Sequence, residues 1–264
     1  MIERVAELIR RAAAEAILPR FRALHSDEIE EKSPGELVTA ADREAEALLT
    51  TGLMEILPGS VVLGEEAAAM QPEIRQRLAQ EADLWIVDPL DGTSNFIEGN
   101  PCFSVMVALL WRGQTVASWM LDPLTDTLAF AERGSGAYLG GERIVASRTT
   151  PEASALRGAV LTRFLPLALR SEIEARAHRV LEILPGLRCA GHEYPGIVTG
   201  AQHFALFWRT EPWDHAPGAL FITEAGGWVA RLDRSPYIPG DQGTGLLVAQ
   251  NEETWYTVES ALLS

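Results

Sequence analysis

The stretch LWIVDPLDGTSNF, residues 84–96, joins an apolar run to two aspartates three positions apart. Leu84 to Val87 read as a buried strand whose apolar run ends at Asp88. Pro89 presets a turn and Asp91-Gly92 completes it, so both carboxylates emerge at the C-terminal edge of a strand. Open α/β sheets bind their ligands at that edge. TSNF reads as the start of a helix, with free backbone N–H groups near Gly92 and Thr93 that would face an anion held beside the aspartates. A cation between two acids and an anion fits this layout, although Asp-Pro and Asp-Gly are also common turn formers and Asp91 alone can cap the helix.

Elements read the same way on either side. Residues 2–24 form a helix pattern ending near His25, and Pro34-Gly35 marks a hairpin tip. A second helix runs from about Ala41 to Ile56, opened by Thr39 and Asp42 in capping-box spacing and stopped by Pro58-Gly59. SVVLGEE is a short strand broken at Gly64, and EIRQRLAQ a helix. From Phe103 to Ile144, apolar runs cut by Arg112-Gly113, Asp122-Pro123 and Gly140-Gly141 have the rhythm of an antiparallel meander. After Pro151 come a strand GAVLT, a helix over LRSEIEARAHRVLEIL, a short helix near YPGIVTG, a strand HFALFW, a helix HAPGALFITEAGG, and strands around GWVARLD and GLLVAQ. The fold class is therefore mixed α/β, in two closely joined lobes of one compact unit: residues 1–150 with the first acidic motifs, and 151–264 with the loop around Arg188 and the aspartate at 214.

Composition narrows the function classes. With 264 residues and 47% hydrophobic residues the chain can bury a sizeable core. A formal net charge of −15, with no basic stripe interleaved with aromatics, argues against direct binding of nucleic acid. Cys102 and Cys189 are too few for a disulfide framework and read as reduced thiols of a cytoplasmic protein. No run approaches a membrane span, and the charged, amphipathic start is not a cleavable signal.

Two further acidic sites extend the first. Glu65 and Glu66 follow the strand that breaks at Gly64, and Asp214 stands at the head of an apolar helix after Pro212. Each alone reads as a solvated charge or a helix cap. Together, three acidic turns at strand or helix ends suggest hard oxygen ligands for a divalent cation, with Mg²⁺ the first choice, since no His or Cys cluster is evident in the sequence to compete for a softer metal.

DPLDGTSNF (88–96), GEE (64–66) and WDHAPGALFITEAGG (213–227), with KSPGELVTAAD near the start, resemble the signature segments of the inositol monophosphatase-like metal-dependent phosphatases, in the same order and spacing. The resemblance covers nearly the whole chain. It implies a layered αβαβα sandwich of the sugar-phosphatase type and a Mg²⁺-dependent phosphomonoesterase of small alcohol phosphates, usually a homodimer. It further implies that Glu65, Asp88 and the carbonyl of Leu90 hold one Mg²⁺, that Asp88, Asp91 and Asp214 hold a second, and that a third, weaker ion sits near Glu65. Thr93, paired with Asp42, would orient the attacking water, and Gly92 and Thr93 would bind the phosphate.

Its departures concern the substrate. The family's small-residue stretch falls on RCAG, so that Arg188, Cys189 and Ala190 join Asp91, Phe207 and Asp214 as substrate-facing positions. Arg188 stands where glycine is usual, either as a fork for a second anionic group or as a plain ion-pair residue. Phe207 stands where the animal enzymes carry a glutamate that holds inositol hydroxyls, with Glu211 a candidate replacement. Ser94-Asn95-Phe96 replaces the Lys-Glu-Phe of the bisphosphate-nucleotide branch. Inositol phosphate, sugar or polyol phosphates and histidinol phosphate remain as substrates, with a regulatory, antitermination-type binding protein on the same fold as the alternative function.

Overall fold

In the computed structural model, which describes residues 1–79, 83–180 and 182–263 (without the side chains of 177–180), the chain forms five layers. The first holds α1 (Ile2–Ala12) and α2 (Ala40–Ile56), between which the chain forms the hairpin β1 (Ile29–Ser33) and β2 (Glu36–Thr39) that turns at Pro34-Gly35. The second is a seven-stranded sheet in the order β3 (Val61–Gly64), β4 (Leu84–Asp91), β5 (Ser104–Trp111), β6 (Gln114–Asp122), β7 (Thr127–Glu132), β8 (Gly136–Leu139), β9 (Glu142–Ile144). Short α3 (Glu65–Met70) and α4 (Thr93–Ile97) follow β3 and β4. Only β3 and β4 run parallel, and the rest is the antiparallel meander that the turn residues predict.

A smaller sheet has the order β11 (Glu182–Leu184), β10 (Arg157–Leu161), β12 (Phe204–Phe207), β14 (Leu246–Ala249), β13 (Trp228–Arg231). Helices α6 (Ala190–Val198) and α7 (Pro212–Glu224) pack between the two sheets, while α5 (Leu167–Val180) and α8 (Glu252–Leu263) cover the far face of the smaller one. This is the αβαβα sandwich.

Burial on both faces explains the run that opens β4. Trp85 and Val87 pack with Val107 and Leu109 of β5 under α1 and α2, whereas Leu84 and Ile86 pack with Trp213 and Ala216 of α7 on the opposite face. A strand covered on both sides carries a continuous apolar sequence instead of an alternating one. Helix α2 buries Ala41, Ala45, Leu49 and Leu53, spaced by four, against the same core. Truncating fully buried Leu49 to alanine would cost about 2–5 kcal/mol.

Three local expectations give way. The first helix ends at Ala12 and passes through a wider turn, Ala13–Ile17, into a tight one, Leu18–Arg20, where Pro19 has no N–H to continue the ladder. The expected helix over 73–80 is a run of tight 3₁₀ turns, Pro72–Ala79, with Gln80 outside the described residues. Glu182–Leu184, expected as the last turn of a helix, is edge strand β11; Leu181 is not among the described residues.

Candidate active site

Strand β4 does not stop at Asp88. It continues to Asp91 through a bulge: Asp88 pairs with Met106 and Asp91 with Ser104, so three steps along β4 (91 − 88) match two along β5 (106 − 104). Side chains alternate faces in a regular strand, and residues three apart would diverge. The extra residue at Pro89-Leu90 restores a common side, and both aspartates line one cleft of about 420 Å³ with Glu65 and Asp214. Pro89, which cannot donate to the ladder, is at home in a bulge.

Each aspartate is braced from behind. Asp91 Oδ2 accepts from Gly191 N (2.7 Å), Cys189 Sγ (3.0 Å) and Ser104 Oγ (3.1 Å), while no such bond falls to Oδ1 from the described residues. Asp88 Oδ1 accepts from Leu90 N at 3.0 Å. Burial, then Glu65, Asp91 and Asp214, hold the Asp88 carboxyl well above the ordinary carboxylate range. Burial, then Glu65 and Asp91, raise Asp214 as well, against the pull of Arg209. Asp214 is the third residue of α7, not its cap, a place taken by Glu211.

Glu65 opens α3, and the N–H groups of Glu66 and Ala67 donate to the buried carboxylate of Glu46 on α2, both at 2.8 Å. Gly64 is glycine for want of room: a Cβ there would lie 2.3 Å from that carboxylate. Lys32 Nζ reaches Glu65 at 2.7 Å and Glu66 at 2.6 Å. Burial works against the Lys32 charge, but the two carboxylates outweigh it and hold the ammonium above its ordinary value. Burial, and Glu65 beside it, push Glu66 up to about 8. One ammonium between two acids leaves this end of the cleft negative whenever both are ionised.

The capping box forms as the spacing predicts, with Thr39 Oγ1 accepting from Ala41 N at 3.1 Å and Thr39 N donating to Asp42 Oδ2 at 2.8 Å. Its other oxygen, Oδ1, lies 3.0 Å from Thr93 Oγ1, and so does Leu90 O. A hydroxyl has one proton for these two acceptors. Burial, opposed by the hydrogen bonds from Thr39, pushes Asp42 up to about 6.

Phe207 forms an apolar wall, stacked on Tyr194 at 5.4 Å and packed on His215 at 4.7 Å. His215 is buried: its Nε2 donates to Arg209 O at 3.0 Å and its Nδ1 accepts from Tyr194 at 2.8 Å, and burial pushes it down to about 3, so it is neutral. Cys189 and Ala190, at the start of α6, lie beside Arg188 on the cleft wall. Arg188 gives its fork to Glu98, at 3.0 and 2.5 Å, and its φ of +57° is the left-handed conformation in which the family pattern has glycine. Glu211 does not serve as a replacement in the cleft wall, since its carboxylate is drawn to Arg75 at 2.7 Å. Lys32, Glu46 and Arg209 were not singled out by the sequence. Each stands among other charged residues of its segment, with nothing local to set it apart, and only KSPGE gave a hint of Lys32.

The donor set fits hard divalent cations: four carboxylates and the Leu90 carbonyl, crowded enough to raise Asp88 and Asp214. The acids ring the cleft instead of closing on a point. Among the described residues no three acidic side chains each bring an oxygen within 4.8 Å of the other two, as mutual repulsion favours.

The sequence model of the inositol monophosphatase family matches residues 1–262. The inositol-1-monophosphatase of Rhizobium meliloti (strain 1021) is 34% identical over 223 residues, 82% of this chain and 80% of that protein. The Nus factor SuhB of Pseudomonas aeruginosa is 32% identical over 231 residues, 83% and 81% of the two chains. Among solved structures, the Thermotoga maritima IMPase has the same fold, with a TM-score of 0.81 at 22% identity over 98% of this chain and 97% of that one.

Proposed function

Since the chain belongs to the inositol monophosphatase family, we propose that it hydrolyses phosphate monoesters of small alcohols in a Mg²⁺-dependent reaction at the acidic cleft. The observation that carries this is the convergence of Glu65, Asp88, Asp91 and Asp214 on one cleft, with the Thr93–Asp42 pair behind it. Glu65, Asp88 and the Leu90 carbonyl would hold one ion, Asp88, Asp91 and Asp214 a second, and a third, weaker one would sit near Glu65. Bound there, Mg²⁺ supplies Lewis-acid polarisation of the phosphoryl group and balances charge on the attacking and departing oxygens.

The chain's own groups do the positioning. Asp91 has its Oδ2 committed to three donors, which leaves Oδ1 as the ligating atom. Asp42 Oδ1 accepts the hydrogen bond of the Thr93 hydroxyl, so that a lone pair of Thr93 Oγ1 accepts from the attacking water and orients it. The amides of Gly92 and Thr93, at the start of α4, receive phosphate oxygens. Phe207, Cys189 and Ala190 face the alcohol, with Arg188 at the side.

Phe207 directs specificity away from inositol. A ring hydroxyl that loses a charge-assisted hydrogen bond loses about 1.5–3 kcal/mol. Phosphate release, with and without Mg²⁺, is measured for inositol 1-phosphate, histidinol phosphate, glycerol 2-phosphate and sugar phosphates. Inositol 1-phosphate leading the panel in kcat/KM by tenfold or more, about 1.4 kcal/mol or more in barrier, would refute the role given to Phe207. No Mg²⁺-dependent release from any substrate would refute the enzyme and favour a regulatory protein, a second reading prompted by the SuhB relatives. A cytoplasmic homodimer belongs to the same proposal, its assembly read by sedimentation.

A further inference from the structure

One cluster of metal-binding side chains lies outside the proposed Mg²⁺ ligands and touches them only through Cys189, which braces Asp91. Cys189 caps α6 and His192 follows it by three residues, one helical turn further on. Cys102, in the loop before β5, comes up against them, and one ligand atom from each of Cys102, Cys189 and His192 lies within 4.8 Å of the other two. Tetrahedral zinc, with Zn–S near 2.3 Å and Zn–N about 2.0–2.1 Å, needs ligand atoms roughly 3.5–3.8 Å apart, within a small side-chain adjustment of this arrangement. His192 Nε2 lies 3.2 Å from the Phe103 carbonyl oxygen, which can only accept. In the neutral ring the proton therefore sits on Nε2 and the lone pair on Nδ1, the tautomer that a ligating histidine braced by a carbonyl adopts.

We propose that Cys102, Cys189 and His192 form a binding site for a thiophilic divalent cation, Zn²⁺ above all, distinct from the carboxylate ligands and adjoining the acidic cleft at Cys189, whose Sγ contacts Asp91. Two sulfurs and an imidazole select against Mg²⁺, and three protein ligands leave a fourth position open. Cys102 and His192 are partly exposed, so the ion has a way in, while buried Cys189 forms the floor. Loading releases the two thiol protons to solvent and changes no oxidation state. It also removes the Cys189 S–H that donates to Asp91 Oδ2 at 3.0 Å and sets an anionic sulfur beside that carboxylate. If Asp91 holds Mg²⁺ as proposed above, zinc here inhibits turnover; this consequence rests on that reading, whereas the site itself does not.

The test uses the full chain, stripped with chelator and kept reduced, titrated with Co²⁺ as a spectroscopic probe and with Zn²⁺. One equivalent is expected to give thiolate-to-Co²⁺ charge transfer, and one Zn²⁺ to protect both thiols from alkylation. Cys102→Ser and His192→Gln are expected to lose the charge-transfer band and at least tenfold in affinity. Binding without charge transfer or thiol protection, or unchanged in both variants, would place the ion in the acidic cleft and overturn the proposal. Zinc inhibition is the second readout: Cys102→Ser should need at least tenfold more Zn²⁺ than wild type, and equal sensitivity would overturn the link to Asp91. The binding readout needs no turnover, so an inactive protein leaves it intact.

Discussion

Replacing Gly191 with alanine tests how tightly the fold aims Asp91. A Cβ at this position would lie 2.0 Å from Ser104 Oγ, 2.8 Å from Ser104 Cβ and 3.4 Å from Asp91 Oδ2. Rotating Ser104 moves its oxygen away but leaves its Cβ in place, so α6 and β5 must separate by several tenths of an ångström. Overpacking of this kind costs about 1–3 kcal/mol. At about 2–4 °C per kcal/mol for a chain of this size, Tm falls by roughly 2–12 °C. The separation also stretches the 2.7 Å bond from Gly191 N to Asp91 and shifts the carboxylate. A misplacement approaching 1 Å costs on the order of 10²-fold, so kcat should drop about 10–100-fold with a smaller change in KM. Ser104→Ala alone loses one hydrogen bond to a carboxylate, about 1.5–3 kcal/mol, yet removes the nearer of the two clashes. The double variant should therefore be more stable than the sum of the single losses predicts. Scanning calorimetry and steady-state phosphate release measure both effects. Wild-type Tm and rate in Gly191→Ala, or additive losses in the double variant, would refute this account of the α6–β5 contact.

Asp88→Asn should abolish turnover while keeping the fold, and should raise the Tm measured in chelator, because it removes a buried charge held among Glu65, Asp91 and Asp214; wild-type rates in saturating Mg²⁺ would contradict the shared-ligand role. Mg²⁺ should stabilise the protein by about 2.7 kcal/mol at a hundred times its Kd, while Ca²⁺ and Li⁺ inhibit; a flat thermal-shift titration into millimolar Mg²⁺ would count against the site. The rise of Asp42 from 3.8 to about 6 corresponds to ~3 kcal/mol. Its folded pKa is the higher one, so the contribution is fully present below 3.8 and lost as pH climbs through about 6. Denaturation in chelator should show a loss across those values that is smaller in Asp42→Asn than in wild type by about 3 kcal/mol.

Much of the molecule is written in local patterns. An uninterrupted apolar run marks β4 because both of its faces are covered, Thr39 and Asp42 announce the start of α2, and Gly and Pro punctuate the meander. The three acidic segments carried the chemistry, since hard ligands at strand and helix ends read as a cation site before any contact is known. What the tertiary structure alone decided involves residues far apart in the chain. Residues three apart on a strand diverge, and only the pairing of β4 with β5 reveals the bulge that brings Asp88 and Asp91 to one side. Lys32 meets Glu65 and Glu66 across the cleft, Glu46 caps α3 from α2, and Arg188 spends its fork on Glu98, ninety residues away. Cys102, Cys189 and His192 assemble only because α6 packs against the loop that leads into β5. Periodicity and capping act within a few residues of backbone, whereas these contacts depend on which layers pack together, and that is settled by the burial of whole faces.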